Sequence, residues 1–305
     1  MRIPLGPGLT VAVAALATPP AASGQAAIAS DLWRVAEGTL IVPAALADDG
    51  SAALWTPATA LGEGETPLRV GVEAIHAPAD VGLSGGIATL AVRLGFLGTL
   101  NAVYGRMGVD GLVRTETSPE SIGDIPVYAE VISLGVAKRV TPGFVAGVAI
   151  RSMNGQLDVE SRSQFGVDMG LRYTSQTHFA IAFATRFFDP TLRQAEAAAS
   201  FNLAAAYQGA SLPMWGTSGV VAVRYGATLT QGEGVQHLFS AGLALGGVME
   251  TDVGTSREVT AGVAVWRSRF GLSLRAGRYR VYLGRDGGVN GFGATYRFGL
   301  AAGLK

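Results

Sequence analysis

The stretch Phe165–Tyr173, "FGVDMGLRY", decides the fold. Phe165, Val167, Met169, Leu171 and Tyr173 fall on one face of an extended chain, and Gly166, Asp168, Gly170 and Arg172 on the other, because successive side chains of a strand point to opposite sides. The same division recurs along the chain. Val221, Val223, Tyr225, Ala227 and Leu229 oppose Ala222, Arg224, Gly226 and Thr228. Phe270, Leu272 and Leu274 oppose Gly271, Ser273 and Arg275, and Phe292, Ala294, Tyr296 and Phe298 oppose Gly293, Thr295 and Arg297. In a soluble sandwich the bulky row packs inward and the other row meets water. That second row should then carry Lys, Glu and Thr, yet here it carries Gly, Ala, Ser and spaced Arg. The whole chain holds only the lysines Lys138 and Lys305. A membrane barrel explains both rows together, with bulky residues on lipid and small or charged residues in the lumen. The fold class expected is therefore all-β, a transmembrane antiparallel β-barrel.

Composition agrees. Of 305 residues, 49% are hydrophobic and 15% charged, and there are 43 glycines. Such a chain is too apolar for disorder, yet it lacks the run of about 18 apolar residues that a spanning helix needs. The 23 basic and 23 acidic residues balance, so no nucleic-acid partner is indicated. With no cysteine, disulfides, thiolate metal sites and cysteine nucleophiles are excluded. Residues 1–26 read as a secretory signal peptide: Arg2 is the basic start, "LTVAVAALA" at Leu9–Ala17 the apolar stretch, and Gly24 and Ala26 the small residues at the cleavage site. Pro4, Pro7, Pro19 and Pro20 argue against a buried helix there.

Further strands are expected near 69–76, 84–94, 97–108, 126–139, 143–152, 178–187, 197–208, 236–247 and 257–267. Tight connections at 93–98 and 138–143 alternate with longer polar ones at 108–124 and 154–164, as short inner and long outer loops do in barrels. The strands so counted come to an odd number, whereas single-chain bacterial barrels are even. The weak regions are 188–216 and 248–256. About 14 strands are expected, with about 12 as the fallback. Tyr173, Phe187, Tyr207, Tyr282 and Phe298, near strand ends, fit interfacial aromatic girdles. Ala27–Ala36 suits a short helix, and Ala52–Leu61 a single turn. Arg278 and Arg280 fall on the row of Phe270 and Leu272, which implies a bulge near Ala276–Gly277 or a strand already clear of the hydrocarbon. Phe298 has the character of a final strand residue, with Leu300 as the other candidate. This divides the chain into 1–26, an N-terminal segment 27–67, a barrel 68–300 and a tail 301–305.

Motifs for chemistry are few. His76, His178 and His237 are scattered, so no metal site is expected. No G-x-S-x-G elbow is present, and no enzyme activity or cofactor is expected. "GRDGGVNGFG" at 284–293 lacks the Lys-Ser/Thr ending of a phosphate cradle and reads as a loop between the last strands.

One segment fits neither strand nor long helix: "DDGSAALWTPATAL", Asp48–Leu61, followed by "LRVGVEAIH". Together they resemble outer-membrane barrels related to long-chain fatty-acid transporters, and most of all the PorV/PorQ branch. Asp48, Asp49, Ser51, Ala52, Leu54, Trp55, Pro57 and Ala58 match the family's acidic, aromatic-Asn-Pro-Ala stretch; Thr56 stands where Asn is usual. The resemblance implies that this stretch folds into the lumen as a plug. It implies an outer-membrane location, a hydrophobic ligand such as a fatty acid, or secretion-system proteins as partners, with membrane lipid around the barrel. A structural or adhesive surface barrel is the alternative. The residues give the plug a physical reason as well. Arg151, Arg172, Arg186, Arg224, Arg275 and Arg297 are expected to point inward, against Glu73 and Asp168, and acids such as Asp48 and Asp49 would offset their repulsion. Inward Gly71, Gly147, Gly166, Gly170, Gly226 and Gly271 would leave room.

Overall fold

The computed structural model describes residues 28–61, 66–78, 82–115, 123–188, 199–214, 216–230, 234–260, 263–288 and 293–304. The leader expected at 1–26 lies outside them. The alternating rows read from the sequence become strands β1 (Leu68–His76), β2 (Leu83–Arg93), β3 (Thr99–Val109), β4 (Val127–Thr141), β5 (Phe144–Leu157), β6 (Glu160–Thr174) and β7 (Phe179–Arg186). They continue as β8 (Ser200–Gln208), β9 (Thr217–Thr230), β10 (Val235–Leu245), β11 (Met249–Thr260), β12 (Val263–Ala276), β13 (Tyr279–Asp286) and β14 (Thr295–Leu304). Each pairs antiparallel with the next, and β14 returns to β1 from Leu68↔Leu304 to His76↔Tyr296. The result is a closed 14-strand antiparallel barrel, and closure leaves no sheet edge for lipid to meet. A short strand, Leu212–Met214, pairs with the start of β9, and Val113–Arg114 pairs with Gly123–Asp124 in the β3–β4 connection. No described helix is long and apolar enough to cross a membrane.

The lipid row of the opening stretch is Phe165, Met169, Leu171 and Tyr173, all exposed, while Gly166, Asp168 and Gly170 are buried. Val72, Leu90, Leu100, Ile132, Leu134, Ile150, Ile181, Leu203, Val223, Phe239, Val253, Phe298 and Leu300 extend the outer apolar surface around the barrel. So much exposed apolar surface suits lipid and not water.

Several sequence expectations are corrected. Residues 154–164 are no loop: β5 and β6 run on and reverse at Asp158, whose φ is +54°. The segments 257–267 and 270–275 divide the chain wrongly. They span the end of β11 and the whole of β12, and the strand missing from the weak region 248–256 is β11 itself. There is no bulge at Ala276–Gly277. Gly277, at φ +58°, makes a hairpin turn, and Arg280 starts the inward row of the next strand. The C-terminal strand continues past Phe298 and Leu300 to Leu304, so the boundary drawn at 300 falls inside it. Phe187 and Tyr282 are buried in the lumen and belong to no outer girdle.

The chain ends of the barrel, Leu68 and Leu304, lie together with the tight turns at Gly95–Leu97, Gly143 and Gly277. At the other end, among the described residues, the paired positions of β6 and β7 run to Gly170↔Ala184, and bonds of another kind follow. There the Met169 N–H donates to the Thr185 hydroxyl (2.8 Å) and the Val167 N–H to the Phe188 carbonyl (2.8 Å). Thr185, Arg186 and Phe187 are all buried, breaking the alternation of β7 as the chain turns inward.

Candidate functional site

Inside the barrel lies the segment from α1 (Ile28–Gly38) through a 3-10 turn (Ala44–Leu46) to a one-turn helix α2 (Ala52–Trp55). The helix α1 is amphipathic: Leu32, Trp33 and Ala36 are buried and Asp31 is exposed. Its apolar face packs on inward Ile75, Ile87, Val103, Met107, Ala129, Val131 and Met153. The Trp33 ring reaches the wall because β3 has Gly105 there; a Cβ at that position would come within 2.5 Å of the ring. Trp33, Leu54 and Trp55 are each 1% exposed, and burying such side chains stabilises by about 1.5–3 kcal/mol apiece.

The inward glycines seat this segment. A Cβ on Gly147 would lie 2.0 Å from the Pro57 carbonyl oxygen, and one on Gly170 would lie 2.6 Å from the Ala58 nitrogen. Only a residue without a side chain lets two backbones approach so closely. Gly71 faces Gly50, Gly226 faces Pro43 and Gly271 faces Ile41, whereas Gly166 faces Phe187 and Phe188 of the wall.

Polar contacts then tie the segment to the wall. Thr89 Oγ1 donates to the Gly50 carbonyl (2.5 Å), the Asn101 amide to the Thr59 carbonyl (3.0 Å), and the Leu61 N–H to Thr99 Oγ1 (2.9 Å). Arg151 donates to the Leu54 carbonyl (2.8 Å) and Arg269 to the Leu40 carbonyl (2.7 Å). Trp55 Nε1 donates to Ser51 Oγ (2.8 Å) within the segment. Thr56, buried, accepts the Ala58 N–H at 3.3 Å, which shapes the turn that places Pro57 and Ala58 on Gly147 and Gly170.

The charged residues separate into clusters. Arg297 donates to Glu73 (2.6 Å), Asp49 (2.8 Å) and Ser51, while the Tyr282 hydroxyl donates to Glu73. The guanidinium lies 5.9 Å from the Trp55 ring centre. Arg151 pairs with Asp168 beneath the Phe187 ring. Arg186 pairs with Glu37 of α1 and donates to Ser200 (3.1 Å). Arg224 pairs with Glu250 (2.8 Å) and Asp252. Arg267 joins Glu258 (2.7 Å) to Asp286 (2.9 Å), and Glu258 also holds Arg34 of α1 (3.0 Å). Arg172 and Arg275 line a cavity near the Leu68 end. Asp48, at its rim, faces Arg280 at 3.4 Å.

Two carboxylates of the segment respond oppositely to this setting. Burial is the largest influence on Asp49 and pushes its carboxyl up to about 6; Arg297 opposes this, and the nearby Glu73 and Asp48 charges add to it. One guanidinium shared between Asp49 and Glu73 cannot fully offset both. Enclosure also acts to raise Asp48, but its side chain is 59% exposed to the cavity, and Arg280, Arg172 and Arg224 hold it below the ordinary carboxylate range.

The structure thus brings Asp49, Glu73 and Arg297 together, and Arg151 with Asp168, from the residues singled out in the sequence. Asp48 meets Arg280, which the sequence reading placed towards lipid. Glu37, Glu250, Asp252, Glu258, Arg267, Arg269 and Tyr282 were missed. Glu37 had a signal, since it falls one helical turn after Trp33 on the same face of α1. Among the described residues, no three His, Cys, Asp or Glu side chains converge as a metal site requires.

No family model matches this chain. No curated protein matches its sequence. Among solved structures, the Pseudomonas putida toluene transporter TodX superposes with a TM-score of 0.50 at 12% identity, over 87% of this chain and 95% of that one. A TodX deltaS2S3 mutant, described as a monoaromatic hydrocarbon channel, does so at 0.50 and 10%, over 84% and 95%. A Pseudomonas aeruginosa FadL homologue gives 0.48 at 10%, over 86% and 96%. At these identities the likeness is one of fold: a barrel of the outer-membrane type.

Proposed function

We propose that this chain is a plugged bacterial outer-membrane barrel that transports a hydrophobic or amphipathic solute, with residues 27–67 as the plug and 1–26 as the export leader. The observation that carries this reading is the fit of the N-terminal segment to the lumen. Backbone seats on glycine, buried tryptophans and bonds from at least one wall arginine in each of several strands hold it there. A barrel built only as a scaffold needs no such fitted filling. The seat is also divisible. It consists of separate polar contacts, each worth about 1–3 kcal/mol, so parts of the segment can shift without unfolding the wall.

One further feature supports transport. The cavity beside Asp48 leaves space for a ligand at one end of the lumen. The toluene transporter TodX, which shares the fold, is a precedent for an apolar cargo.

The test is mass spectrometry of what co-purifies from native outer membranes in mild detergent. Transport predicts an enriched fatty acid, aromatic or similar apolar molecule without a stoichiometric protein. A large stoichiometric protein with no enriched ligand would instead make the chain a secretion accessory of the PorV kind. Neither would make it a structural or adhesive barrel.

A further inference from the structure

The cavity near the Leu68 end measures about 910 Å³, within the range of small-molecule sites. Six arginines line it, Arg69, Arg139, Arg172, Arg275, Arg278 and Arg280, against the carboxylates Asp48 and Asp49. Both acids are already engaged, Asp49 by Arg297 and Asp48 by Arg280. Arg278 lies against the Tyr279 ring, 5.1 Å from its centre. Among the described residues, Arg69, Arg139, Arg172 and Arg275 form no salt bridge.

The register concentrates this charge. Arg275 and Arg280 stand directly opposite each other on β12 and β13, an arrangement of like charges that destabilises a sheet. Arg139 and Arg172 are both cross-strand partners of Val145, so they flank it on one face, about two strand spacings apart. Like charges in a partly enclosed space repel more strongly than in open water. Guanidinium groups offer planar, paired donors that match phosphate oxygens. We propose that this cavity is a binding site for a multiply charged phosphate-type oxyanion, held by Arg172 and Arg275 with Arg69, Arg139 and Arg280 around it. Such an anion is either free in solution or the headgroup of a lipid, and both present the same oxygens. This is the same cavity that the transport reading counts as ligand space, but anion binding there requires no transport and is tested without it.

Isothermal titration of the full mature chain in detergent tests this, with two probes: inorganic pyrophosphate, and dihexanoyl phosphatidic acid below its micelle concentration. The expected result is saturable one-site binding that weakens with salt. R172Q/R275Q should weaken it by about tenfold or more. R106Q, on the outer wall and paired with Glu130, should leave it unchanged. Equal affinity for both probes assigns the site to a free anion, and markedly tighter lipid binding assigns it to a headgroup. Should the double variant fail to fold, R69Q and R139Q carry the same comparison. Absence of saturable binding by either probe overturns the proposal. Wild-type affinity in R172Q/R275Q overturns it equally.

Discussion

Substituting Gly147 by Val tests the seat of the N-terminal segment most sharply. The first atom added, Cβ, would lie 2.0 Å from the Pro57 carbonyl oxygen and 2.5 Å from its carbon. Ordinary non-bonded separation is about 3.5–4.0 Å, so the segment must retreat by roughly 1.5 Å. Neither partner is a flexible side-chain tip. One is a strand of the barrel and the other a proline backbone, so the strain cannot be absorbed by a rotamer change. Overpacking of this kind costs about 1–3 kcal/mol. The retreat should loosen the bonds on either side of Pro57, from Arg151 to the Leu54 carbonyl at 2.8 Å and from the Leu61 N–H to Thr99 at 2.9 Å. Hydrogen exchange reads this directly at the Leu61 amide, which should exchange about 5- to 150-fold faster. Amides of β4 and β5 should keep their protection, because their ladder is untouched. G166A is the control, since its Cβ would face Phe188 and not the segment. Unchanged exchange at Leu61 in a folded G147V barrel would refute the seat.

Four other outcomes are expected. R297Q removes the cation shared by Glu73, Asp49 and Ser51; breaking a buried pair costs about 3–5 kcal/mol, and limited proteolysis should cut the segment far faster than in the wild type. Asp49, raised to about 6, binds its proton more readily in the folded chain than unfolded. Its contribution therefore favours the seat at low pH and is lost as pH rises from about 4 to 6; Leu61 exchange followed across that window should show the loss, and D49N should abolish it. T185V deprives the Met169 N–H of its acceptor, which should cost about 1–3 kcal/mol and speed exchange at Met169 while β1–β3 stay protected. I132R places a cation on the outer apolar surface and should lower stability in bilayers by up to about 2–4 kcal/mol, measured by urea titration, whereas a water-facing residue would show almost none of this.

How much of this was legible depended on whether the two rows of a strand differed. Phe165–Tyr173 could be read because its lipid row is bulky and its lumen row is small or charged. In β11, "METDVGTSREVT", the outward row is Met249, Thr251, Val253, Thr255, Arg257 and Val259, with polar residues at half its positions, so it did not announce a lipid face. In β3 both rows carry bulky apolar residues, with Val103 and Met107 inward and Leu100 and Tyr104 outward. Sequence shows that both faces are covered, and not that α1 covers the inner one. Tyr282 looked like an interfacial aromatic; in fact its ring covers the cross-strand Gly299, where a Cβ would lie 1.9 Å from it. The reversal at Gly277 was the costliest omission. One glycine in the left-handed region turns the chain back and moves Arg280 from the lipid row to the lumen. The glycine seats were readable as small residues on the inward rows, but their pairing with Pro57, Ala58 and Gly50 requires the closed barrel.

The central claim is that residues within 27–67 close the lumen, and single-channel conductance in planar bilayers tests it most directly. The comparison is between the wild type and D48R/D49R, which sets two cations against Arg280 and Arg297. Protected strand amides would first establish that both barrels are folded. A wild type that is closed, beside a variant that opens frequently and conducts through the cleared lumen, is the predicted result. Equal conductance from the two folded barrels would contradict it.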